Sequence, residues 1–165
     1  MKLQRATTDH LAEIMSWFPD RLSCEIWGGP HFRFPFTSAS FLEDMRLKVF
    51  PSYVLVQADD DPPLGFGQYY LRAGRCHLGR LVISPEHRGQ NLGKALIDGL
   101  VELGLQDLAV EECSLFVAEH NPAMRLYERL GFVRTEYPED DPTAKMFAYM
   151  AASAVRLRDL SSRSG

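Results

Sequence analysis

Arg88-Gly-Gln-Asn-Leu-Gly-Lys94 sets two cations around two glycines and an asparagine. Residues of this kind let the backbone turn its N–H groups inward and wrap an anion. Between positions 72 and 97 the basic residues are Arg72, Arg75, Arg80, Arg88 and Lys94, and Glu86 is the sole acid. A local positive field thus stands in a chain of formal net charge -4, which suits a small polyanion better than a long one. The spacing is not that of a P-loop: Gly89 lies too close to Gly93-Lys94, and Ala95 occupies the Ser/Thr place. We expect the loop to hold a pyrophosphate.

Such a loop needs an element on each side. His77 to Ile83 is apolar and β-branched, and reads as a strand. After Pro85, Gly89, Asn91 and Gly93, the stripe Leu92, Ala95, Leu96, Leu100, Leu103 reads as a helix, broadened by Ile97 and Val101. The first turn of a helix has N–H groups without intrahelical partners and carries the positive end of the helix dipole, so the loop opens onto a second anion-favouring feature.

Elsewhere, Lys2 to Ala6 reads as a first strand, followed by a helix through Leu11, Ile14, Met15 and Phe18 that Pro19 closes. The segment from Cys24 to Phe36 is broken by Gly28, Gly29, Pro30 and Pro35, and reads as an aromatic loop. Ser40 with Glu43 suggests a capped helix to about Val49. Tyr53–Gln57, Leu64–Leu71 and Arg75–Ile83 suggest an antiparallel meander, with Glu112–Ala118 parallel to the last of them across the helix. A helix with Asn121 as N-cap ends at Gly131, and strands at Val133–Tyr137 and Ala144–Met150 follow. The tail after Ala151 is expected to fray.

With these elements placed, Leu81-x-Ile83-x-Pro85-x-x-Arg88-Gly89-x-Asn91-x-Gly93-x-Ala95-Leu96 resembles the acetyl-CoA signature of the GNAT superfamily of N-acetyltransferases. Asn121-Pro-Ala-Met-Arg-Leu-Tyr127-Glu-Arg-Leu-Gly131-Phe132 is similar to the second motif of that superfamily. The resemblance implies an α/β fold of the α+β type. Its sheet would be mixed and mostly antiparallel, of about six to seven strands flanked by about four helices, and splayed at the cofactor site.

The resemblance also implies roles. Arg88, Gly89, Gln90, Asn91, Gly93 and Lys94 would wrap the cofactor pyrophosphate. Leu81, Val82 and Ile83 would pair their backbone with the pantetheine arm. Asn121 would contact the cofactor, besides capping its helix, and Tyr127 would give a proton to the departing thiolate, although its place on an apolar helix row also suits a core residue. Asn91 departs from the family's usual glycine, and asparagine is the next most tolerant residue for left-handed backbone. The reaction implied is direct attack of a primary amine on acetyl-CoA in a ternary complex. His77 is the first candidate for the base, ahead of Glu25, His31 and Tyr69, because an ordinary histidine titrates near neutrality. Trp27, His31 and Tyr69 are taken as substrate-binding, with Trp27, Phe32, Phe34 and Phe36 as a candidate wall. The acceptor is a small-molecule or peptide amine, and the alternative is a non-catalytic acyl-CoA-binding sensor.

A chain of 165 residues suits one domain, 1–165. With 45% hydrophobic and 24% charged residues, it is expected to fold rather than stay disordered. No apolar run could span a bilayer and the N-terminus has no signal-peptide core, so we expect a cytoplasmic protein without a membrane partner. Cys24, Cys76 and Cys113 lie far apart, which indicates neither a disulfide framework nor a metal site. The net negative charge opposes nucleic acid as a partner. A monomer or a homodimer fits equally.

Overall fold

Seven strands and six α-helices form among the described residues, which in this computed structural model are Met1–Arg163. In chain order they are β1 (Lys2–Arg5), α1 (Leu11–Met15), α2 (Arg21–Gly28), α3 (Ser38–Met45), β2 (Ser52–Val56), β3 (Gly65–Arg72) and β4 (Arg75–Ile83). Then come α4 (Leu92–Leu108), β5 (Glu112–Val117), α5 (Ala123–Leu130), β6 (Val133–Arg134), β7 (Ala148–Ser153) and α6 (Ala154–Arg163). The sheet order is β1-β2-β3-β4-β5-β7-β6. β1 with β2, β2 with β3, β5 with β7 and β6 with β7 are antiparallel. β4 and β5 are parallel, as the helical crossover through α4 requires. Their ladder pairs Cys76–Leu78 with Cys113–Leu115, and the strands then run on to Ile83 and Val117. None of the helices among the described residues is long and apolar enough to cross a membrane.

The described residues gather into two compact units, Met1–Gln68 with Arg80–Leu96, and Tyr69–Gly79 with those from Ile97 to Arg163. In the first, Leu11, Ile14, Phe18, Phe32, Phe41, Met45, Val54 and Phe66 form one buried cluster. Phe18 stacks on Trp27 at 4.2 Å, and Trp27 on Phe41 at 5.9 Å. In the second, Leu100, Leu115, Leu130, Phe132, Met150 and Leu157 are buried. The turn from β3 to β4 places both Ala73 and Gly74 at positive φ, 49° and 76°, the backbone of a tight two-residue hairpin. Gly104 lets α4 approach the strands closely, since a Cβ there would collide with the Cys76 sulfur and press on the Tyr69 ring.

Several elements differ from the sequence reading. α2 forms where a loop was expected, because the Asp20 carboxylate accepts from the Ser23 N–H at 2.8 Å and starts a helix before the glycines end it. The cap of α3 is Thr37, in a reciprocal pair with Ser40. The last strand is shifted to Ala148–Ser153, since Asp141 draws the N–H groups of Thr143 and Ala144 into a turn that runs as a 3-10 segment through Met146. The tail beyond Ala151 completes β7 and then forms α6, which packs on α5 and β7. Its last two positions, 164 and 165, lie outside the described residues.

Candidate active site

Arg80, inside β4, has φ of 51°, a left-handed backbone that costs an ordinary L-residue about 1–2 kcal/mol. Hydrogen bonds on both ends of the residue offset that cost. Its carbonyl accepts from Trp27 Nε1 at 2.7 Å. Its guanidinium donates to the carbonyls of Asp44 and Met45 at 2.6 and 3.2 Å, where α3 ends, and lies 5.2 Å from the Phe32 ring centre. Gln68 joins this group, donating to the Met45 carbonyl at 2.7 Å and to Ser52 Oγ at 3.0 Å. In the sequence, Arg80 stands out only as one of the basic residues between positions 72 and 97. The signal that could have found it is Gly79, because a glycine inside a strand often marks a bulge.

Past this kink come Leu81, Val82 and Ile83, each half-buried. Ser84 N–H then donates to the Leu64 carbonyl at 2.8 Å, and a short 3-10 turn spans Pro85–His87. Arg88, Gly89, Gln90 and Asn91 follow, all exposed. Gly89 has φ of 79° and Asn91 φ of 61°, so the asparagine adopts the conformation that glycine would take. No heavy atom beyond its chain neighbours lies within 4 Å of where a Cβ on Gly89 would stand. α4 opens at Leu92, with Gly93 and Lys94 next and no acid in its first turn. An exposed loop with two left-handed residues, leading into a helix start beside Arg88, is what a pyrophosphate needs.

Asn91 yields the first expected result. Asn91→Ala keeps the loop sterically open but loses asparagine's tolerance for positive φ, and should lower stability by about 1 kcal/mol. Asn91→Gly should be close to neutral. Urea midpoints of the two variants check this, and equal midpoints would contradict it.

The second unit holds the residues expected to carry out proton chemistry. Asn121 Oδ1 accepts from the Ala123 N–H at 2.9 Å, so it caps the start of α5 while Pro122 stands at the cap position itself. Gly131, at φ of 113°, ends the helix. Tyr127 faces inward at 8% exposure, with the Phe132 ring edge-on at 6.4 Å. Burial pushes its phenol up to about 12, so it keeps its proton throughout the neutral range. Tyr69 is buried, and its hydroxyl donates to Asp107 at 2.9 Å.

His77 is 2% exposed. Its Nδ1 lies 2.9 Å from Ser114 Oγ, and the rings of Phe116, Tyr70 and Tyr149 surround it at 4.8, 5.3 and 6.4 Å. Burial, and secondarily the charge of Arg72, lowers its pKa to about 3. Burial therefore disfavours the protonated ring, the form a histidine takes after accepting a proton as base. The same burial predicts a pH effect. An unfolded histidine takes up its proton near pH 6.5, whereas this one resists until about pH 3, so its contribution is intact above pH 6.5 and falls away as acid is added. The loss should reach about 2 kcal/mol at pH 5. His77→Gln should remove that part of the acid sensitivity in denaturation series at about pH 7.5 and about pH 5, and an unchanged pH slope would contradict it.

Of the residues expected to bind the acceptor, Trp27 is half-buried with its N–H on the Arg80 carbonyl, and His31 is exposed. Among the described residues no group of three or more acidic, histidine or cysteine side chains could hold a metal ion.

Residues 12–132 match the family described as acetyltransferase (GNAT) family. A Bacillus subtilis (strain 168) protein provisionally named as a ribosomal protein bS18-alanine N-acetyltransferase is 28% identical over 115 residues, 67% of this chain and 75% of its own length. Two solved structures are similar in fold. The aminoglycoside acetyltransferase AAC(6')-Ib, in complex with coenzyme A and kanamycin, has a TM-score of 0.73 at 22% identity, covering 96% of this chain and 97% of that one. The spermidine N-acetyltransferase of Vibrio cholerae, in complex with CoA and spermine, has a TM-score of 0.72 at 20% identity, covering 95% and 97%.

Proposed function

Because the chain belongs to the acetyltransferase (GNAT) family, we propose that it moves acetyl from acetyl-CoA to a primary amine by direct attack, with cofactor and amine bound together. It is an acetyl-CoA-dependent N-acetyltransferase, and we take 1–165 as one catalytic domain. The observation that carries the reading is the glycine-like backbone of Asn91 beside Gly89 at the opening of α4. That geometry meets the one demand on which the residue type departs from the family pattern.

When bound, acetyl-CoA supplies an activated acetyl group and a good leaving thiolate. The chain's own part is to bind, orient and manage protons. Arg88, Gly89, Gln90 and Asn91 hold the pyrophosphate with Gly93 and Lys94 at the helix start. The backbone of Leu81, Val82 and Ile83 takes the pantetheine amides as an added strand edge would, and Asn121 adds a polar contact. Tyr127 holds a proton at its hydroxyl for the departing sulfur. For His77 we propose packing and a hydrogen bond to Ser114. The base is then a group in contact with solvent, His31 or half-buried Glu25, acting directly or through water.

The acceptor we propose is a small polycationic amine or the N-terminal amine of a peptide. Support comes from proteins of similar fold crystallised with kanamycin and with spermine, and from the relative provisionally named as a ribosomal protein bS18-alanine N-acetyltransferase. We assign contacts with the amine to exposed His31 and half-buried Trp27, and a supporting role to Tyr69, whose hydroxyl is held by Asp107. The test is thiol release from acetyl-CoA with kanamycin, spermine and an alanine-initiated peptide. A preference among them names the class, and no release with any amine would favour an acyl-CoA-binding sensor.

A further inference from the structure

We propose that Trp27 and Arg80 are positioning residues for cofactor binding, forming a clamp that sets the kink in β4 and so presents the backbone of Leu81–Ile83. The proposal rests on the acetyl-CoA reading above. The clamp has three parts, all in the first unit. The kink is Arg80 at φ of 51°, a conformation that no local feature of an arginine favours. The indole N–H of Trp27 holds the kinked carbonyl at 2.7 Å. The Arg80 guanidinium, reaching the carbonyls of Asp44 and Met45 at 2.6 and 3.2 Å, ties the same residue to the end of α3.

Trp27 is itself fixed from both sides, stacked on Phe18 at 4.2 Å and on Phe41 at 5.9 Å. The indole therefore acts as a rigid donor whose position is set by the core, and the carbonyl must come to it. The ladder of β4 with β5 ends at Leu78 with Leu115, before the kink. Beyond the kink the strand's backbone direction is set by the clamp. A pantetheine arm that pairs with this edge depends on that direction, whereas a pyrophosphate held by Arg88–Lys94 does not.

This difference supplies the test. Affinity is measured for acetyl-CoA and for its nucleotide end alone, a 3′-phosphorylated ADP without the pantetheine arm. Trp27→Phe keeps a ring for stacking and deletes the N–H. It should weaken acetyl-CoA binding about tenfold and leave the nucleotide within about twofold. Arg80→Asn keeps a residue tolerant of positive φ and deletes the guanidinium, and should show the same selective loss, so that the test survives if one variant fails to fold. A role in general stability alone would weaken both ligands together, and that result, or no change in either, overturns the clamp. A wild-type chain that binds neither ligand overturns the acetyl-CoA reading and the clamp with it.

Discussion

Gly93→Val should raise the dissociation constant for acetyl-CoA at least about 100-fold, or ~2.7 kcal/mol, while the protein remains folded. Gly93 is the second residue of α4. Side chains on a helix tilt toward its N-terminal end, so a β-branched group there is directed toward the anion that the first-turn N–H groups would hold. The fold has little reason to suffer, because valine is a better helix residue than glycine by a few tenths of a kcal/mol. Calorimetric titration with acetyl-CoA, together with a melting curve of the variant, checks both halves. Unchanged affinity would remove the pyrophosphate from this loop.

Tyr127→Phe should lower kcat about 100-fold and leave acetyl-CoA affinity nearly unchanged. The substitution keeps the ring, its burial and its edge-on contact with Phe132, and deletes only the proton donor. Because burial raises the phenol to about 12, the wild-type group stays protonated up to about pH 11. Any fall in activity between pH 8 and 10 should therefore survive in Tyr127→Phe. Steady-state rates of both proteins across that range measure this, and equal kcat values would move the acid role to another residue.

The strand, loop and helix from His77 to Leu103 were legible because apolar periodicity and turn residues agree there, and each side of the loop is long enough to show its period. Residue types also foretold the Asn91 backbone, since asparagine is the side chain after glycine that best tolerates positive φ. What the sequence hid depends on tertiary partners. Gly28 and Gly29 read as breakers of a loop, yet they end α2, whose start depends on Asp20 bonding back to Ser23. Arg80 looks like one more strand cation, and only Trp27 and the end of α3 make its left-handed backbone tenable. His77 looked like a titrating base because burial cannot be read from a single residue type. In the fold it is enclosed by Tyr70, Phe116 and Tyr149, which come from three different strands.

On the proposed reading, this chain both cradles acetyl-CoA and transfers its acetyl group to an amine. One sample tests both parts most directly: acetyl-CoA is titrated until its rise in melting temperature saturates, the preferred amine is added, and free thiol is followed with time. The expected result is a rise in melting temperature followed by thiol release matched by acetylated amine, with no acetyl left on the protein. A bound cofactor that releases no thiol with any of the amines would contradict it.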